Sequence, residues 1–238
     1  TTYGVGEIIA AAAENAKSII IGLGGSATND GGTGAAAALG VKFFDSHGNT
    51  FIPVGGTLKN IARIDMSNLN SKVKRTNITI MCDIDNPFCG ENGAAYVFGP
   101  QKGADAQMVH DLDDGLYHLA KIIKRDIGID ISDIPGAGAA GGMGGGLYAF
   151  LGATLKMGIE TVLDAVHFDS LLDHADMVFS GEGRIDGQSA RGKVVSGVAA
   201  RAKIKGVPVI AVVGDIGKGA ELTYSQGVTA IFSTNRIC

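Results

Sequence analysis

The sequence is poor in cysteine, in basic runs and in long apolar segments, and each shortage excludes a class of function. The separation of Cys82 and Cys89 matches no usual zinc-binding spacing, and with Cys238 they make only three cysteines, so we expect reduced thiols in a cytoplasmic protein. The net charge is −4 and the basic residues cluster only at Lys72–Arg75, so we expect no nucleic-acid partner. No apolar run approaches the roughly 20 residues of a transmembrane helix, so we expect no membrane partner.

Glycine is the residue in excess, at 37 of 238 positions. The glycines concentrate at Gly22–Gly34 and Gly136–Gly146, with a thinner group at Gly181–Gly192. Aperiodic glycine clusters between ordered segments are typical of ligand-binding loops. The remaining composition, 45% apolar and 18% charged, is typical of a globular protein with a large core.

The hydrophobic pattern predicts an α/β fold in which helices alternate with strands. The early part should contain a helix Val5–Ala16, a strand Ser18–Leu23, a short helix Gly32–Gly40 and a strand Val41–Asp45. Later segments predict a strand Asn77–Pro87, an amphipathic helix over 104–126, a glycine loop feeding a helix over Ile134–Leu155 and a helix Thr161–His174. The regular strand–helix–strand pattern that follows predicts a parallel, Rossmann- or flavodoxin-like sheet. We therefore expect two domains, 1–160 with the glycine-rich loops and 161–238 with part of this sheet.

The first glycine cluster has the spacing of a dinucleotide-binding turn. Gly22, Gly24 and Ala27 fit G-x-G-x-x-A after a strand, and Asp45 lies near the place of a ribose-binding acid. Asp30 speaks against this interpretation because its charge would repel a pyrophosphate. The small polar and acidic side chains after the glycines favour a hydroxylated or metal-linked ligand, and they are Ser26, Thr28, Asn29 and Asp30.

A second segment, Gly187–Val194, fits the phosphate-binding pattern G-x-x-x-x-G-K only in part. Val194 stands where a serine or threonine should reach magnesium, so the match is poor. Lys193 is more typical of a first-turn helix lysine than of a phosphate ligand. Lys102, in a turn between glycines, could contact an anion or be solvated.

The loop Pro135–Gly146 has almost no side chains, and ordering it costs much backbone entropy. Such a loop is needed where another group approaches the backbone closely, where φ angles are positive, or where the loop moves. The following helix would present free N–H groups to an anion. Tight packing against a neighbouring helix is the alternative, and we favour the ligand interpretation.

Acidic residues follow two predicted strands. Asp83 and Asp85 end one strand, and Glu182 and Asp186 flank Arg184 on another. Each acid alone is more often a cap or a surface ion pair. Their position beside glycine loops favours phosphoryl transfer, in which acids hold Mg²⁺ or accept a proton and a guanidinium neutralises the moving group.

Four motifs occur together in the order "GGSATNDGG", "NPxxGxNGA…FGPQKGA" over Asn86–Ala104, "PGAGAAGGMG" and "SGEGRID". With these motifs the chain resembles the bacterial glycerate kinase family over essentially all its length. The resemblance implies two α/β domains with the active site in the cleft between them. It also implies transfer of a phosphoryl group from ATP, with Mg²⁺, to D-glycerate, giving 2-phosphoglycerate or 3-phosphoglycerate. Family members begin with "APDSFK"-like and "DGGEGT"-like motifs that are absent here, so we expect this chain to be the middle and later part of such a kinase.

The resemblance suggests a role for each candidate residue. Asp30 would accept the glycerate hydroxyl proton, with Arg184 and Asp186 as further catalytic residues. The glycerate side of the cleft would be Ser26, Thr28, Asn29 and Lys102. The residues assigned to binding the nucleotide or its phosphate groups would be Gly136, Gly138, Gly141, Gly142, Gly144 and Glu182. Mg²⁺ would bind Asp83 and Asp186. The alternatives are a nicotinamide-dependent dehydrogenase that uses the first glycine turn and a non-catalytic nucleotide-binding domain.

Overall fold

The computed structural model describes residues 1–187, 189 and 193–236. It consists of two compact units, unit 1 (Thr1–Lys156) and unit 2 (Met157–Cys238), which are treated separately below. The Walker-like segment lies partly outside the described residues, and Cys238 lies outside them as well. The chain is a mixed α/β protein with parallel sheets, which confirms the predicted fold class.

Unit 1 begins with helix, strand, helix and strand, as the hydrophobic pattern predicts, and then runs through further short strands before its longer helices. Its α-helices are α1 (Tyr3–Ala13), α2 (Thr33–Ala38), α3 (Ala94–Phe98), α4 (Ala106–Ile127) and α5 (Ala139–Leu151). Its strands are β1 (Ser18–Gly22), β2 (Lys42–Phe44), β3 (Thr50–Phe51), β4 (Arg63–Asp65), β5 (Asn77–Met81) and β6 (Thr154–Lys156). Single 3-10 turns cover Gly55–Asn60, Val73–Arg75 and Pro100–Lys102.

A parallel sheet of order β1-β5-β6 forms the centre of unit 1. Gly22 at the end of β1 lies beside Met81 at the end of β5, so the loops that follow both strands leave from the same edge. Strand β5 ends at Met81, earlier than the predicted Pro87, and the acidic residues Asp83 and Asp85 follow it outside the sheet. Because ligands of open α/β sheets bind at the carboxyl ends of the strands, this edge is the place to look for a site.

Strand β2 is not part of the central parallel sheet. It lies between β3 and β4 in a separate antiparallel sheet, with Phe43 opposite both Phe51 and Ile64. The preceding helix α2 is only six residues long and buries its alanines against α1 and α5. The strand itself was predicted correctly, and its place in a separate antiparallel sheet is a feature that the sequence analysis did not address.

The core of unit 1 is closed by α4, the amphipathic helix that the spacing of apolar residues predicted. The Asp105 side chain caps its first turn by accepting a hydrogen bond from Met108 N at 2.8 Å, and Gly128 ends it in the left-handed conformation. Leu116, Leu119 and Ile123 are fully buried along one face of the helix. Burial of side chains of this size contributes roughly 1.5–3 kcal/mol each, so this face fixes α4 on the unit.

The helix α5 contains a break inside the glycine-rich stretch. Ala140, Gly141 and Gly142 have φ angles of 53°, 71° and 85°, so the regular helix begins only after them. The sequence predicted a glycine loop that feeds a helix, and the break lies in that loop. Phe150 from the regular part packs edge-on against Phe43, with ring centroids 5.8 Å apart.

Unit 2 is built around a parallel sheet of order β7-β8-β9, as predicted for this part of the chain. The strands are β7 (Val178–Ile185), β8 (Val209–Ile216) and β9 (Val228–Ser233), and the helices are α6 (Gly158–Ala165), α7 (Phe168–Leu172), α8 (Val194–Ile204) and α9 (Leu222–Gln226). The predicted single helix Thr161–His174 is two helices, because His167 between them adopts a left-handed φ of 53°. Arg201 on α8 joins these helices by ion pairs to Glu160, Asp164 and Asp169.

Within the described ranges, no helix combines the length and the apolar composition that crossing a membrane requires.

Candidate functional site

The turn between β1 and α2 carries the polar residues Ser26–Asp30 and lies at the carboxyl edge of the parallel sheet. Its first half is open, since Gly24 and Gly25 are exposed, and its second half is buried at Asn29 and Asp30. A hydrogen bond from Gly31 N to Gly141 O ties the turn to the break in α5 at 3.0 Å. Two of the sequence motifs therefore meet in one place.

Asp30 is buried at the end of this turn, with 1% of its surface exposed. Its carboxylate accepts hydrogen bonds from Thr2 N at 2.7 Å, from the Thr2 hydroxyl at 3.0 Å and from Gly32 N at 3.0 Å. The Thr2 hydroxyl accepts in turn from Ala35 N at 2.9 Å. These contacts favour a role for Asp30 in positioning the turn against the start of α1. Its role as a proton acceptor stays a prediction.

Lys102 reaches the same turn from the 3-10 turn Pro100–Lys102. Its ammonium group donates to the Ser26 hydroxyl at 2.8 Å and to Thr28 O at 2.7 Å. Partial burial lowers the pKa of Lys102, and the nearby charge of Asp30 opposes that shift. The structure thus brings together Ser26, Thr28 and Lys102, which the sequence assigned to one ligand.

Asn29 carries a side-chain amide that has no hydrogen-bond partner among the described residues. Both Nδ2 and Oδ1 are buried and unpaired, and only 9% of the residue is exposed. Native proteins rarely leave buried polar atoms unpaired, because each costs about 1–3 kcal/mol. An amide in this state is therefore a group that a ligand could satisfy.

A cavity of about 240 Å³ adjoins these residues. We call it the Lys102 cavity. The lysine and the turn form one side, and Met108 and Leu112 of α4 form an apolar side. Its volume is below the roughly 300–1,000 Å³ of pockets for drug-sized ligands, so it suits a small metabolite. The residues that line it are Ala27, Thr28, Asn29, Gly55, Gly99, Lys102, Gly103, Ala104, Met108 and Leu112.

The glycines of the second cluster are in contact with protein atoms at the positions where side chains would stand. Five glycines were assigned to the nucleotide. At Gly136 an added Cβ atom would lie 3.1 Å from the nearest atom of the chain. At the other four the nearest atom would be closer than 3.0 Å, and these are Gly138, Gly141, Gly142 and Gly144. For Gly141 the obstructing atoms belong to Thr28 and Asn29, and for Gly142 they include the Phe88 ring. Close packing therefore accounts for these glycines, but the nearest atoms belong to loop residues and not to the neighbouring helix of the alternative that the sequence left open. Their contact with nucleotide stays a prediction.

The dinucleotide interpretation fails on the position of Asp45. This residue follows β2, which belongs to the antiparallel sheet and is not a neighbour of β1. Its carboxylate accepts hydrogen bonds from Asn49 N and His47 N at 2.9 Å, and the first of these is the main cause of its lowered pKa. Asp45 therefore stabilises a turn, and no parallel strand places it near the first glycine loop.

In unit 2 the motif "SGEGRID" lies on β7 and just beyond it. Arg184 Nε lies 3.6 Å from an Asp186 carboxylate oxygen, and their side chains are 62% and 28% exposed. Glu182 Oε1 is buried, and no residue in the part of the chain that the structure describes forms a hydrogen bond with it. Ser189 donates to Arg184 O at 3.4 Å and thereby supports the turn after the strand. This end of β7 presents a guanidinium and two carboxylates.

A metal site is not preformed among the described residues, where no group of three or more His, Cys, Asp or Glu side chains is placed so that it could hold a metal ion. Mg²⁺ does not need such a cluster, because it usually binds one or two carboxylates together with phosphate oxygens and water. The unpaired oxygen of Glu182 and the carboxylate of Asp186 fit that requirement. Asp83 is exposed beyond β5.

Sequence reasoning missed Thr2 and Gly55. Thr2 binds Asp30 across 28 positions, and no local pattern indicates such a contact. A Cβ atom on Gly55 would lie 2.9 Å from Asn29 O, so this glycine lets the chain approach the turn. The isolated "GG" at Gly55–Gly56, in a segment of poor periodicity, was the available signal.

The fold and this edge define an α/β protein with glycine-rich loops at the ends of parallel strands. The chain belongs to the glycerate kinase family, whose model matches residues 1–237. This confirms the resemblance seen in the four motifs.

Three relatives illustrate the similarity. The glycerate kinase of Halalkalibacterium halodurans is 49% identical over 234 residues, which are 98% of this chain and 62% of that protein. The glycerate 2-kinase of Escherichia coli K12 is 47% identical, with 98% and 61% covered. The crystal structure of a candidate glycerate kinase 2 from Salmonella typhimurium LT2 superposes with a TM-score of 0.85 at 46% identity, covering 98% of this chain and 61% of that one. The chain thus spans about three fifths of the length of these relatives.

Proposed function

We propose that the protein transfers the γ-phosphoryl group of ATP to a hydroxyl group of D-glycerate. The observation that carries the proposal is membership of the glycerate kinase family along residues 1–237. The relatives named as glycerate kinases share nearly half of the aligned residues. The product is 2-phosphoglycerate or 3-phosphoglycerate, and the name of the Escherichia coli relative favours the former.

The acceptor side of the reaction lies at the Ser26–Asp30 turn. Lys102 holds Ser26 and Thr28 by hydrogen bonds, and Asp30 fixes the end of the turn through Thr2 and Gly32. Such a turn can orient a small hydroxy acid with little rearrangement. Orientation matters here because phosphoryl transfer depends on positioning and charge stabilisation more than on a strong base.

The donor side includes Arg184, Asp186 and Glu182 at the end of β7. The guanidinium of Arg184 would neutralise charge on the transferred group, and it is largely exposed. In unit 2, Mg²⁺ would be held by Asp186, with Glu182 as a second oxygen ligand. Asp83 of unit 1 stays a candidate ligand from the sequence. When bound, the ion supplies charge neutralisation at the phosphate oxygens. The glycines 136–144 would contribute backbone N–H groups to the nucleotide.

The proposed acceptor and donor are small molecules, and the reaction would take place in the cytoplasm without membrane or nucleic-acid partners. The cysteines support a reducing compartment, since Cys82 and Cys89 are free thiols.

The test is an ATP-consumption assay of the purified protein with D-glycerate, followed by NMR of the product. We expect ATP turnover that depends on D-glycerate and a single phosphorylated position. Glycerol is the control acceptor, because it keeps the hydroxyls and lacks the carboxylate. Binding of ATP without turnover would favour the non-catalytic nucleotide-binding domain, and absence of ATP binding would contradict both.

A further inference from the structure

We propose that the Lys102 cavity is the subsite for the carboxylate end of a small hydroxy acid, with Lys102 and the side-chain amide of Asn29 as its ligands. The inference rests on the proposed kinase function and adds which end of the acceptor binds here. The residues that line the cavity include the cation Lys102, the amide residue Asn29 and the apolar residues Met108 and Leu112. A carboxylate attached to a short carbon chain has the matching distribution of charge and apolar surface.

Lys102 holds a positive charge that no protein carboxylate neutralises directly. Its ammonium group has three donors, and its two hydrogen bonds go to the neutral acceptors Ser26 Oγ and Thr28 O. None of the ion pairs found among residues 1–187, 189 and 193–236 involves Lys102. A ligand carboxylate would use the third donor in a charge-assisted hydrogen bond, which is the stronger kind.

The backbone of Lys102 is fixed in a way that points its side chain at the turn. Lys102 N donates to Gly99 O at 2.9 Å, Gly103 N to Pro100 O at 3.0 Å and Ala104 N to Gly99 O at 3.2 Å. Gly103 closes this turn with a φ of 93°. The ammonium group is thus preorganised, which lowers the entropy lost on binding.

Asn29 is held just as firmly, and its amide is unused. Its backbone is enclosed between Gly55 and Gly141, where any added Cβ atom would lie under 3.0 Å from Asn29 atoms. Neither Nδ2 nor Oδ1 has a hydrogen-bond partner within residues 1–187, 189 and 193–236. The amide can donate to a carboxylate through Nδ2 and accept from the adjacent hydroxyl through Oδ1. This second, independent group is what distinguishes the cavity from a solvated lysine turn.

The surroundings favour a carboxylate over a phosphoryl group. The nearby N-terminus of α4, which could attract phosphate, is already capped by the Asp105 carboxylate. The side chains of Met108 and Leu112 offer no donors, and Lys102 is the one cation among the described residues that line the cavity. A dianionic phosphate would need more donors than this wall provides.

The experiment compares three variants of the purified protein. Lys102→Met removes the charge and keeps the length, Asn29→Leu replaces the amide with an apolar group of similar shape, and Lys74→Met is the control at an exposed lysine of unit 1. Isothermal titration measures binding of D-glycerate, glycerol, inorganic phosphate and a non-hydrolysable ATP analogue. Thermal unfolding is followed in parallel.

We expect Lys102→Met to weaken D-glycerate binding about tenfold or more, as a lost charge-assisted hydrogen bond implies, without changing the affinity for the ATP analogue. Asn29→Leu should weaken D-glycerate several-fold while the melting temperature stays or rises, because two unpaired polar atoms are removed. Lys74→Met should match the unmodified protein. Glycerol and inorganic phosphate should bind at least tenfold more weakly than D-glycerate.

Unchanged D-glycerate affinity in Lys102→Met would overturn the subsite, and so would phosphate binding that depends on Lys102 as strongly as D-glycerate binding does. A lower melting temperature with unchanged affinity in Asn29→Leu would overturn the part assigned to Asn29. Failure of the kinase proposal looks different. Binding of D-glycerate that depends on Lys102, without ATP turnover, would support the subsite and contradict the kinase proposal. Full ATP turnover by Lys102→Met would support the kinase proposal and contradict the subsite.

Discussion

The substitution Gly141→Ala tests whether the second glycine cluster exists for close packing. Gly141 has a φ of 71°, and an added Cβ atom would lie under 3.0 Å from Thr28 O and from Asn29 Cα. Gly152 is a matched control in the same helix segment, because its φ is 65° and nothing lies within 4 Å of its added Cβ. Both substitutions share the cost of a left-handed alanine, and only one adds a collision with backbone.

The expected magnitudes follow from these two contributions. The left-handed conformation costs roughly 1–2 kcal/mol, partly offset by the lower entropy of the unfolded alanine chain, so Gly152→Ala should lose about 1 kcal/mol. Overpacking adds typically 1–3 kcal/mol, so Gly141→Ala should lose about 3 kcal/mol. For a chain of this size, the melting temperatures should fall by about 3 °C and about 9 °C.

Thermal unfolding monitored by circular dichroism measures both changes. The packing explanation requires the larger loss at Gly141, together with weaker D-glycerate binding because the Ser26–Asp30 turn is displaced. Equal losses of stability in the two variants would refute the reasoning. Loss of nucleotide binding at Gly141 with no extra loss of stability would favour the original ligand interpretation of the loop.

Three further predictions concern single residues. Asp30→Asn should lower the free energy of unfolding by about 1–3 kcal/mol, because the new amide NH₂ faces the donors of Thr2 or Gly32; a lower kcat with an unchanged melting temperature would instead show that Asp30 is the base. Gly55→Ala should raise KM for D-glycerate, because an added Cβ atom at Gly55 would collide with Leu112 and with Asn29 O. Gly56→Ala should leave KM unchanged, because nothing lies within 4 Å of its added Cβ atom. Equal KM values in the two variants would contradict the prediction. Burial raises the pKa of the Cys82 thiol, and it raises the pKa of Cys89 to about 11. Iodoacetamide at pH 8 should therefore alkylate both cysteines more slowly than a free cysteine peptide, because the thiolate is the reactive form. Peptide mapping measures the rates, and rates equal to that of the peptide would contradict the prediction.

The sequence predicted elements whose signals are local and periodic. Strand β1 and helix α4 depend on runs of apolar residues with clear spacing, and the structure has them within a few residues of the predicted bounds. The strand predicted at Val41–Asp45 is also present in the structure, but the sequence did not indicate which strands lie beside it in the sheet. Sheet partners depend on contacts between segments far apart in the chain, and periodicity carries no information about them.

The candidate site shows the same division. Ser26, Thr28 and Lys102 were assigned to one ligand and do lie together. The partner of Asp30 was missed because Thr2 has no motif of its own. The glycine loop was correctly identified as unusual, yet its entropy cost is the same whether a ligand or the chain itself occupies the space beside it. Only the structure shows that Thr28 and Phe88 occupy the space beside these glycines.

The most direct test of the kinase proposal is ³¹P NMR of the purified protein incubated with ATP, Mg²⁺ and D-glycerate. The proposal predicts a new phosphomonoester signal, coupled to one position of glycerate, that grows as the γ-phosphoryl signal of ATP declines. The same mixture with glycerol in place of D-glycerate should show no such signal. Unchanged ATP in the presence of D-glycerate, or release of inorganic phosphate alone, would contradict the proposal.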